Sequence, residues 1–260
     1  MSSSKTALIT GASSGIGAIY ARRLAARGYD LILVARRTEK LSALAADLEQ
    51  SNGVSVRTLT ADLTADAGIA GIEQLLRDEN IAILVNNAGM GPFANTAAMT
   101  DADAQATLTL NVTALMRLTR AALPGMRARK AGTIVNVGSV MAFFPGPMSA
   151  LYSATKAFVL AFSRGVAEEA REDGVLVQAV LPAGTVTDFY ETAGVSIDNF
   201  DKSVFMTAEQ LVDAGLVGMD RGEQVTLPSV QDETLWTRYD EARANLFAGT
   251  QNGQPAQRYL

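Results

Sequence analysis

Tyr152 and Lys156 are the residues whose types and spacing best suit proton-transfer chemistry. They stand four residues apart in a segment that predicts a helix over about residues 149–171, so the phenol and the ammonium group share one helix face. A nearby ammonium favours the phenolate, and two unit charges about 4 Å apart attract by about 4 kcal/mol at an effective dielectric of about 20. The pair therefore predicts a lowered pKa for Tyr152 and a role as general acid or base.

Tyrosine and lysine at this spacing are common on helix surfaces, so the interpretation depends on the residues that precede them. Ser139 follows a predicted strand upstream of Tyr152, and its hydroxyl is suited to hydrogen-bond and orient a substrate oxygen. Residues 140–151 between the two are largely apolar and predict the wall of a pocket. The residues that we expect to contact a substrate are Ser139, Phe143, Phe144, Met148 and Tyr190.

Composition narrows the possible chemistry further. The chain of 260 residues contains neither histidine nor cysteine, which excludes triads built on histidine, cysteine nucleophiles, disulfides and metal sites with these ligands. An acid or base must then be a carboxylate, a tyrosine or a lysine, and we expect no metal. With 22 Lys and Arg against 27 Asp and Glu, the net charge of -5 argues against nucleic-acid binding.

The elements that must position these residues alternate between strands and helices. Continuous apolar runs are typical of buried parallel strands, and they occur at residues 6–10, 31–34, 54–59, 81–85, 133–137 and 175–181, with a weaker seventh at 225–227. Helices are predicted over about residues 16–28, 39–49, 101–129, 149–171, 207–219 and 231–247. This order predicts an α/β fold, a doubly wound parallel sheet between two helix layers, with ligands at the carboxyl ends of the strands.

A glycine-rich turn joins the first strand to the first helix. Gly11, Gly15 and Gly17 allow a tight turn and a close approach of a ligand to the backbone. The free N–H groups and the partial positive charge of the helix N-terminus favour a pyrophosphate. The strand before the turn and the helix after it therefore predict a dinucleotide site, although the spacing is not the common G-x-G-x-x-G.

This variant spacing resembles the short-chain dehydrogenase/reductase family. Further segments match the family in order over roughly residues 5–190, namely Asn86-Asn-Ala-Gly89, Asn111, Ser139, Tyr152-Ser-Ala-Thr-Lys156 and Pro182-Ala-Gly184 with Thr187. The resemblance implies a single Rossmann-like domain over residues 1–260 that binds a nicotinamide dinucleotide. It also implies a catalytic set of Ser139, Tyr152, Lys156 and Asn111, in which Asn111 holds a water that links Lys156 to solvent.

The end of the second strand indicates which dinucleotide is bound. An acidic residue there would favour NAD by hydrogen-bonding the adenosine ribose, but this sequence has Ala35, followed by Arg36 and Arg37. A guanidinium can hold a 2′-phosphate through two parallel hydrogen bonds. We therefore expect NADP(H), with Arg36 as the main contact and Arg37 as a second one.

The resemblance implies a wider cofactor site. Asp62 and Leu63 would line the adenine pocket, and the loop that begins at Pro182 would touch the nicotinamide amide, although Ala183 stands where the family has glycine. The residues expected to bind the cofactor are Gly11, Ser13, Ser14, Gly15, Ile16, Gly17, Arg36, Arg37, Asp62, Leu63, Asn86, Ala88, Gly89, Tyr152, Lys156, Pro182, Gly184, Thr185 and Thr187.

Two segments near the C-terminus have less definite roles. Residues 188–220 resemble the substrate-binding loop and helix of the family. The tail, residues 228–260, lacks the glycine-rich strand that ends many members. Its apolar helical stripe of Leu235, Tyr239, Ala242 and Leu246 would cover the pocket or bind a neighbouring subunit.

The leading hypothesis is an NADPH-dependent reductase that interconverts a ketone or aldehyde and an alcohol. A non-catalytic NADPH-binding regulator would need none of Ser139, Tyr152 and Lys156. A dehalogenase-type lyase on the same fold would lack the glycine turn and carry arginine in place of Lys156. We further expect a homodimer or homotetramer with a small-molecule substrate. No signal peptide or membrane span is evident, so we expect a cytoplasmic protein that does not bind membranes.

Overall fold

Strands and helices alternate along the computed structural model, which describes residues 5–193, 196–199 and 201–260. The strands are β1 (Thr6–Thr10), β2 (Asp30–Ala35), β3 (Val56–Thr60), β4 (Ile81–Asn86), β5 (Gly132–Val137), β6 (Val175–Val180), β7 (Thr185–Val186), β8 (Met206–Thr207) and β9 (Val225–Thr226). The α-helices are α1 (Gly15–Ala26), α2 (Thr38–Asn52), α3 (Asp66–Asp78), α4 (Asp101–Leu108), α5 (Leu115–Ala128), α6 (Ala150–Glu169), α7 (Phe189–Thr192), α8 (Ala208–Asp220) and α9 (Thr234–Gly249).

Seven of these strands form one parallel sheet in the order β3-β2-β1-β4-β5-β6-β9. Strand β1 pairs with β2 from Thr6↔Asp30 to Thr10↔Val34, and on its other edge it pairs with β4. The direction of winding therefore reverses between β1 and β4, and such a switch point opens a crevice at the carboxyl ends of the two strands. The predicted doubly wound α/β fold is confirmed.

The continuous apolar runs arise because both faces of the sheet are covered. Ala7 and Ile9 of β1 pack into a core that includes side chains of α1, α2 and α8. Leu8, between them, points to the other face and packs into a core that includes side chains of α3, α5 and α6. Successive residues of a strand face opposite sides, so a strand buried on both sides needs apolar residues at every position.

The long helix predicted over residues 101–129 is interrupted. Helix α4 begins with an N-cap, in which the Thr100 hydroxyl accepts a hydrogen bond of 3.1 Å from the Asp103 amide. It is followed by a π-helical turn over Thr109–Ala114 and then by α5. A π turn inserts one extra residue into the helical repeat and is frequent at functional sites. Asn111 lies in this turn.

The remaining predicted elements differ from the structure mainly at their ends. Helix α1 ends at Ala26, and Gly28 follows with a positive φ of 80°, so the helix stops two residues earlier than predicted. Helix α8 begins with a capping box, because the Thr207 hydroxyl accepts from the Gln210 amide at 3.2 Å while the Gln210 side chain accepts from the Thr207 amide at 3.0 Å.

The chain divides into two compact units, Met1–Pro228 and Ser229–Leu260. The first contains the sheet and α1 to α8. The second contains α9, in which no residue is buried and the rings of Trp236 and Tyr239 stack with their centroids 5.5 Å apart. The side chains of Leu235, Tyr239 and Leu246 along the predicted apolar stripe are exposed. Within the described ranges, we find no helix whose length and hydropathy would let it cross a lipid bilayer.

Candidate active site

A cavity of about 840 Å³ opens within the first unit at the carboxyl edge of the parallel sheet. Residues at or after the ends of β1, β2, β3, β4, β5 and β6 line it, together with α6 and the beginning of α7. The predicted glycine turn therefore shares one cavity with Ser139, Tyr152 and Lys156, although more than a hundred residues separate them in the chain.

The glycine turn lies against the β4 end of this cavity. Gly11 and Gly15 have positive φ angles of 67° and 53°, which side chains rarely tolerate. A Cβ on Gly17 would lie 2.4 Å from the carbonyl oxygen of Gly11, so a side chain is excluded there by contact rather than by φ. The Asn87 side chain supports the turn by donating to the carbonyl oxygen of Thr10 at 2.9 Å.

Helix α1 presents its N-terminus to the cavity, which Gly15 and Ile16 line. The side chain of the N-cap residue, Ser14, makes no capping hydrogen bond, and the first turn contains no acidic residue. The helix dipole therefore gives this end a partial positive charge that no acidic side chain of the first turn offsets. Together with the close glycine backbone, this end of the cavity fits a pyrophosphate.

The two arginines after β2 differ in their surroundings. Arg37 donates to the hydroxyl of Ser13 at 2.9 Å and to that of Ser14 at 2.6 Å, and its Nη1 lies 3.9 Å from a carboxylate oxygen of Asp188. Arg36 lines the same cavity and is exposed. Arg37 thus lies against the glycine turn, whereas Arg36 is exposed at the cavity.

Asp62 and Leu63, which the family resemblance assigns to an adenine pocket, line the cavity beyond β3. The Asp62 carboxylate accepts hydrogen bonds from the amide and the hydroxyl of Thr64, at 2.9 and 2.8 Å. These bonds, with a smaller contribution from the charge of Arg36, hold the pKa of Asp62 below its ordinary value. The carboxylate thus remains ionised and fixes the backbone at this end of the cavity.

The structure separates the two neighbouring asparagines at the end of β4. Asn86 is absent from the cavity lining, and its amide donates to Thr119 Oγ1 at 3.1 Å and to Asn136 Oδ1 at 2.9 Å on the far face of the sheet. Asn87, which the sequence analysis did not select, lines the cavity with Ala88 and Gly89. The alternation of side chains along a strand is the signal that distinguishes the two positions.

Ser139, Tyr152 and Lys156 all line the cavity and are all buried. The Lys156 ammonium nitrogen lies 5.6 Å from the centroid of the Tyr152 ring and donates to the carbonyl oxygen of Val137 at 3.0 Å. Ser139 Oγ accepts from the Met141 amide at 3.1 Å. The helical spacing of four residues and the end of β5 therefore place all three side chains on one wall.

Burial is the main cause of the pKa shifts of Tyr152 and Lys156. It raises the pKa of Tyr152 above the ordinary phenol value, although a hydrogen bond with Ser139 acts in the opposite direction. Burial also lowers the pKa of Lys156 to about 8. The expectation that Lys156 would lower the pKa of Tyr152 is wrong for this structure, because removal from water disfavours both charged forms.

Asn111 lies outside the cavity lining but beside it. Its Oδ1 accepts from the Met90 amide at 2.9 Å, and its Nδ2 donates to the Met90 carbonyl at 2.7 Å and to Thr155 Oγ1 at 3.1 Å. A Cβ on Gly89 would lie 3.4 Å from Asn111 Oδ1 and 3.6 Å from Lys156 Nζ. Asn111 therefore ties the π turn to the loop after β4, next to the lysine.

The loop after β6 forms another side of the cavity. Its lining residues are Pro182, Ala183, Gly184, Thr185 and Thr187. The loop lies close to the glycine turn, since a Cβ on Gly15 would lie 3.3 Å from Thr187 Cγ2. Although Ala183 stands where the family has glycine, the loop still lines the cavity.

Only some of the predicted substrate contacts line the cavity. Met148 and Tyr190 line the cavity, whereas Phe143 and Phe144 do not, and Phe144 is 77% exposed. The reason is a 3₁₀ turn over Val140–Ala142, which places Val140 and Met141 at the cavity instead. The lining residues outside the predicted set include Phe93 and Phe189, whose rings contact that of Tyr152, and Val140 and Met141.

Comparison with a family model described as short chain dehydrogenase gives a match over residues 5–195. Among solved structures, the chain resembles a short-chain dehydrogenase from Sphingobium yanoikuyae in complex with NADPH, with 46% identity, a TM-score of 0.95, and 98% of this chain and 100% of that one covered. It also resembles a bulky-bulky ketone specific alcohol dehydrogenase from Comamonas testosteroni, with 40% identity, a TM-score of 0.90 and 98% of each chain covered.

Curated relatives match over a shorter part of their length. The human 17-beta-hydroxysteroid dehydrogenase type 3 is 39% identical over 183 residues, which is 70% of this chain and 59% of that protein. The very-long-chain 3-oxoacyl-CoA reductase-A of Danio rerio is 35% identical over 209 residues, which is 79% of this chain and 66% of that protein. The matched region thus spans about three fifths to two thirds of these relatives.

Proposed function

The chain belongs to the short-chain dehydrogenase family, and on this basis we propose that it is an NADPH-dependent oxidoreductase that interconverts ketones or aldehydes and alcohols. The observation that carries the proposal is the convergence of Ser139, Tyr152 and Lys156 on the cavity that the glycine turn also lines. A sensor that only bound the dinucleotide would need none of these three side chains. Relatives named as an NADPH complex and as a ketone-specific alcohol dehydrogenase support the same reaction class.

The residues around the glycine turn fit the proposed cofactor. The N-terminus of α1 and the backbone of Gly11 and Gly15 would hold the pyrophosphate, and Arg36 would hold the 2′-phosphate. Asp62 and Leu63 would border the adenine. When bound, NADPH supplies the hydride that reduces the carbonyl carbon.

Tyr152 supplies the proton that this reduction requires. Because burial raises the pKa of Tyr152, its phenol stays protonated at neutral pH and donates to the carbonyl oxygen as that oxygen gains charge. Ser139 hydrogen-bonds the same oxygen and orients it. In the reverse direction the phenol must first lose its proton, so alcohol oxidation requires a higher pH.

Lys156 and Asn111 would support the proton transfer by Tyr152. The Lys156 amine, held by the Val137 carbonyl, would bind the nicotinamide ribose and favour the phenolate that forms when the proton leaves. Asn111 keeps the π turn and the loop after β4 in contact beside that amine, and it would hold a water that returns the proton from solvent. The loop from Pro182 to Thr187 would contact the nicotinamide amide.

A substrate screen tests the proposal directly. Consumption of NADPH is followed by absorbance over a panel of bulky ketones, short ketones, aldehydes and 3-oxoacyl thioesters. We expect turnover with ketones that carry two large apolar groups, since the cavity wall near Tyr152 is apolar and aromatic. NADPH binding without turnover of any carbonyl would instead favour the regulator.

The protein would assemble into a homodimer or homotetramer through α4, α5 and α6. The outer face of α6 exposes small residues, namely Ala150, Ala154, Ala157, Ala161 and Gly165. Phe158 and Phe162 stack beside them with their centroids 5.4 Å apart. Such a face allows two helices to pack closely, and sizing of wild-type and Ala157→Glu protein tests it. The substitution should shift the protein toward the monomer, whereas a monomeric wild type would contradict the assembly.

A further inference from the structure

Two phenylalanine rings from different parts of the chain pack on the ring of Tyr152. The Phe93 ring, in the loop after β4, lies 6.1 Å from it between centroids, and the Phe189 ring, at the beginning of α7, lies 5.7 Å from it. The two phenylalanine rings meet edge to face at 6.3 Å. Tyr190 extends this cluster, since its ring lies 5.7 Å from that of Phe189.

Gly91 provides the space in which these rings meet. A Cβ at this position would lie 2.5 Å from Tyr152 Cδ2 and 3.0 Å from Phe189 Cζ. The backbone of Gly91 therefore lies directly against two of the rings, and any larger residue would force them apart. The loop after β4 thus contributes to the same wall twice, through the ring of Phe93 and through the missing side chain of Gly91.

The apolar residues Val140, Met141 and Met148 also line the cavity. Among the charged lining residues that the structure describes, Lys156 has its ammonium nitrogen 5.6 Å from the centroid of the Tyr152 ring, and each of these residues interacts with a protein group. Arg37 and Asp188 lie 3.9 Å apart and Arg37 binds the glycine turn, Asp62 interacts with Arg36, and Lys156 donates to the Val137 carbonyl. The rings of Phe93 and Phe189 themselves offer an apolar surface that suits an uncharged substrate group.

We propose that Phe93 and Phe189 form a subsite for an aromatic ring of the substrate, so that the preferred substrate is a ketone with an aryl group next to the carbonyl. This inference rests on the proposed oxidoreductase function and names its substrate class. Aromatic rings gain from edge-to-face and offset contacts beyond their area of burial, and each such pair is expected to contribute roughly twofold to tenfold in kcat/KM. Aliphatic rings of the same size do not gain from these contacts.

A matched pair of ketones tests the subsite. We compare 1-phenylpropan-1-one with 1-cyclohexylpropan-1-one and measure kcat/KM for wild type, Phe93→Leu and Phe189→Leu, with Phe144→Leu as the control because Phe144 is exposed and outside the cavity lining. The ratio of phenyl to cyclohexyl substrate should fall about twofold to tenfold in each of the first two variants. In the control this ratio should equal that of wild type within error. The intrinsic reactivities of the two ketones do not affect the comparison, because they are the same for every variant.

A second measurement needs no substitution. Dissociation constants of the two ketones for the wild-type complex with NADP⁺ should favour the phenyl compound. Equal affinities, or ratios of kcat/KM that neither leucine variant changes, would overturn the aryl subsite while leaving the oxidoreductase in place. Absence of turnover with every carbonyl in wild-type protein would instead overturn the proposed function.

Discussion

The ammonium nitrogen of Lys156 lies 5.6 Å from the centre of the Tyr152 ring and donates its hydrogen bond to the Val137 carbonyl. Both side chains are buried, and burial shifts both pKa values toward the neutral forms. The pair therefore consists of a neutral phenol beside an amine whose pKa of about 8 lies close to physiological pH. Its acid–base behaviour leads to the first two predictions.

Lys156→Met should alter the pH dependence of stability. Below pH 8 the amine is protonated in both the folded and the unfolded chain, so the folded state bears the full cost of burying the charge. Between about pH 8 and 10.5 the folded chain releases the proton while the unfolded chain keeps it, so the free energy of unfolding rises with pH. Because methionine has no ionisable group, the free energy of unfolding of the variant should be higher than that of wild type by up to about 3 kcal/mol below pH 8. This difference should disappear as the pH rises above 8.

Denaturant unfolding without added cofactor, in steps from neutral to alkaline pH, measures this difference. Tyr152 acts in the opposite sense at higher pH, because its raised pKa destabilises the fold once the unfolded phenol ionises near pH 10. The comparison is therefore confined to pH values below about 10. A constant difference between the two proteins over that range would contradict the shifted lysine.

Tyr152→Phe should reduce turnover about 10²- to 10⁴-fold, because it removes the proton donor. The ring that packs on Phe93 and Phe189 is retained, so the fold and the dissociation constant of NADPH should change little. Stopped-flow kinetics measure the turnover, and fluorescence titration measures the dissociation constant of NADPH. Tyr190→Phe is the matched control, since it removes a hydroxyl from the same cavity without removing the donor. Turnover that survives the first substitution would exclude Tyr152 from the acid–base role.

Arg36→Ala and Arg37→Ala should have different effects on cofactor choice. Loss of Arg36 should weaken NADPH binding about tenfold to hundredfold with little change for NADH, because a charged hydrogen bond to the 2′-phosphate is worth about 1.5–3 kcal/mol. Arg37 binds Ser13 and Ser14, so its loss should weaken both cofactors to a similar extent. Isothermal titration of both variants with both cofactors measures this.

Ala35→Asp completes the test of the 2′-phosphate site. It places a carboxylate at the end of β2, where it would accept hydrogen bonds from ribose hydroxyls and repel a phosphate, so it should shift the preference toward NADH. Wild-type protein that binds NADH as tightly as NADPH would refute the assignment of Arg36.

Asn86→Ala should destabilise the fold by about 1–3 kcal/mol, because it leaves the buried partners Thr119 and Asn136 without their donor. NADPH affinity should be nearly unchanged, since Asn86 is absent from the cavity lining. Asn87→Ala should weaken NADPH binding and change the stability of the fold little, because it removes the hydrogen bond that supports the glycine turn from inside the cavity. Chemical denaturation and cofactor titration of both variants distinguish the two asparagines, and equal effects on cofactor binding would contradict the separation.

Much of the molecule follows from short stretches of sequence. The apolar strand runs alternate with helical segments and thereby predict the doubly wound sheet and the crevice at its carboxyl edge. Gly11, Gly15 and Gly17 constrain the backbone locally, and a spacing of four residues in a helix places Tyr152 and Lys156 on one face. These properties depend on neighbouring residues, so the sequence determines them by itself.

The rest depends on contacts between residues that are distant in the chain. Phe93 and Phe189 meet around Tyr152 because two loops converge above the sheet, and no local pattern predicts where such loops cross. The pKa of Tyr152 rises rather than falls because several elements together exclude water from it, which only the assembled cavity determines. The sequence therefore specified the residues to which we assign the proposed chemistry, while the tertiary structure decided their solvent exposure and their neighbours, because burial and ring contacts are properties of the packed chain.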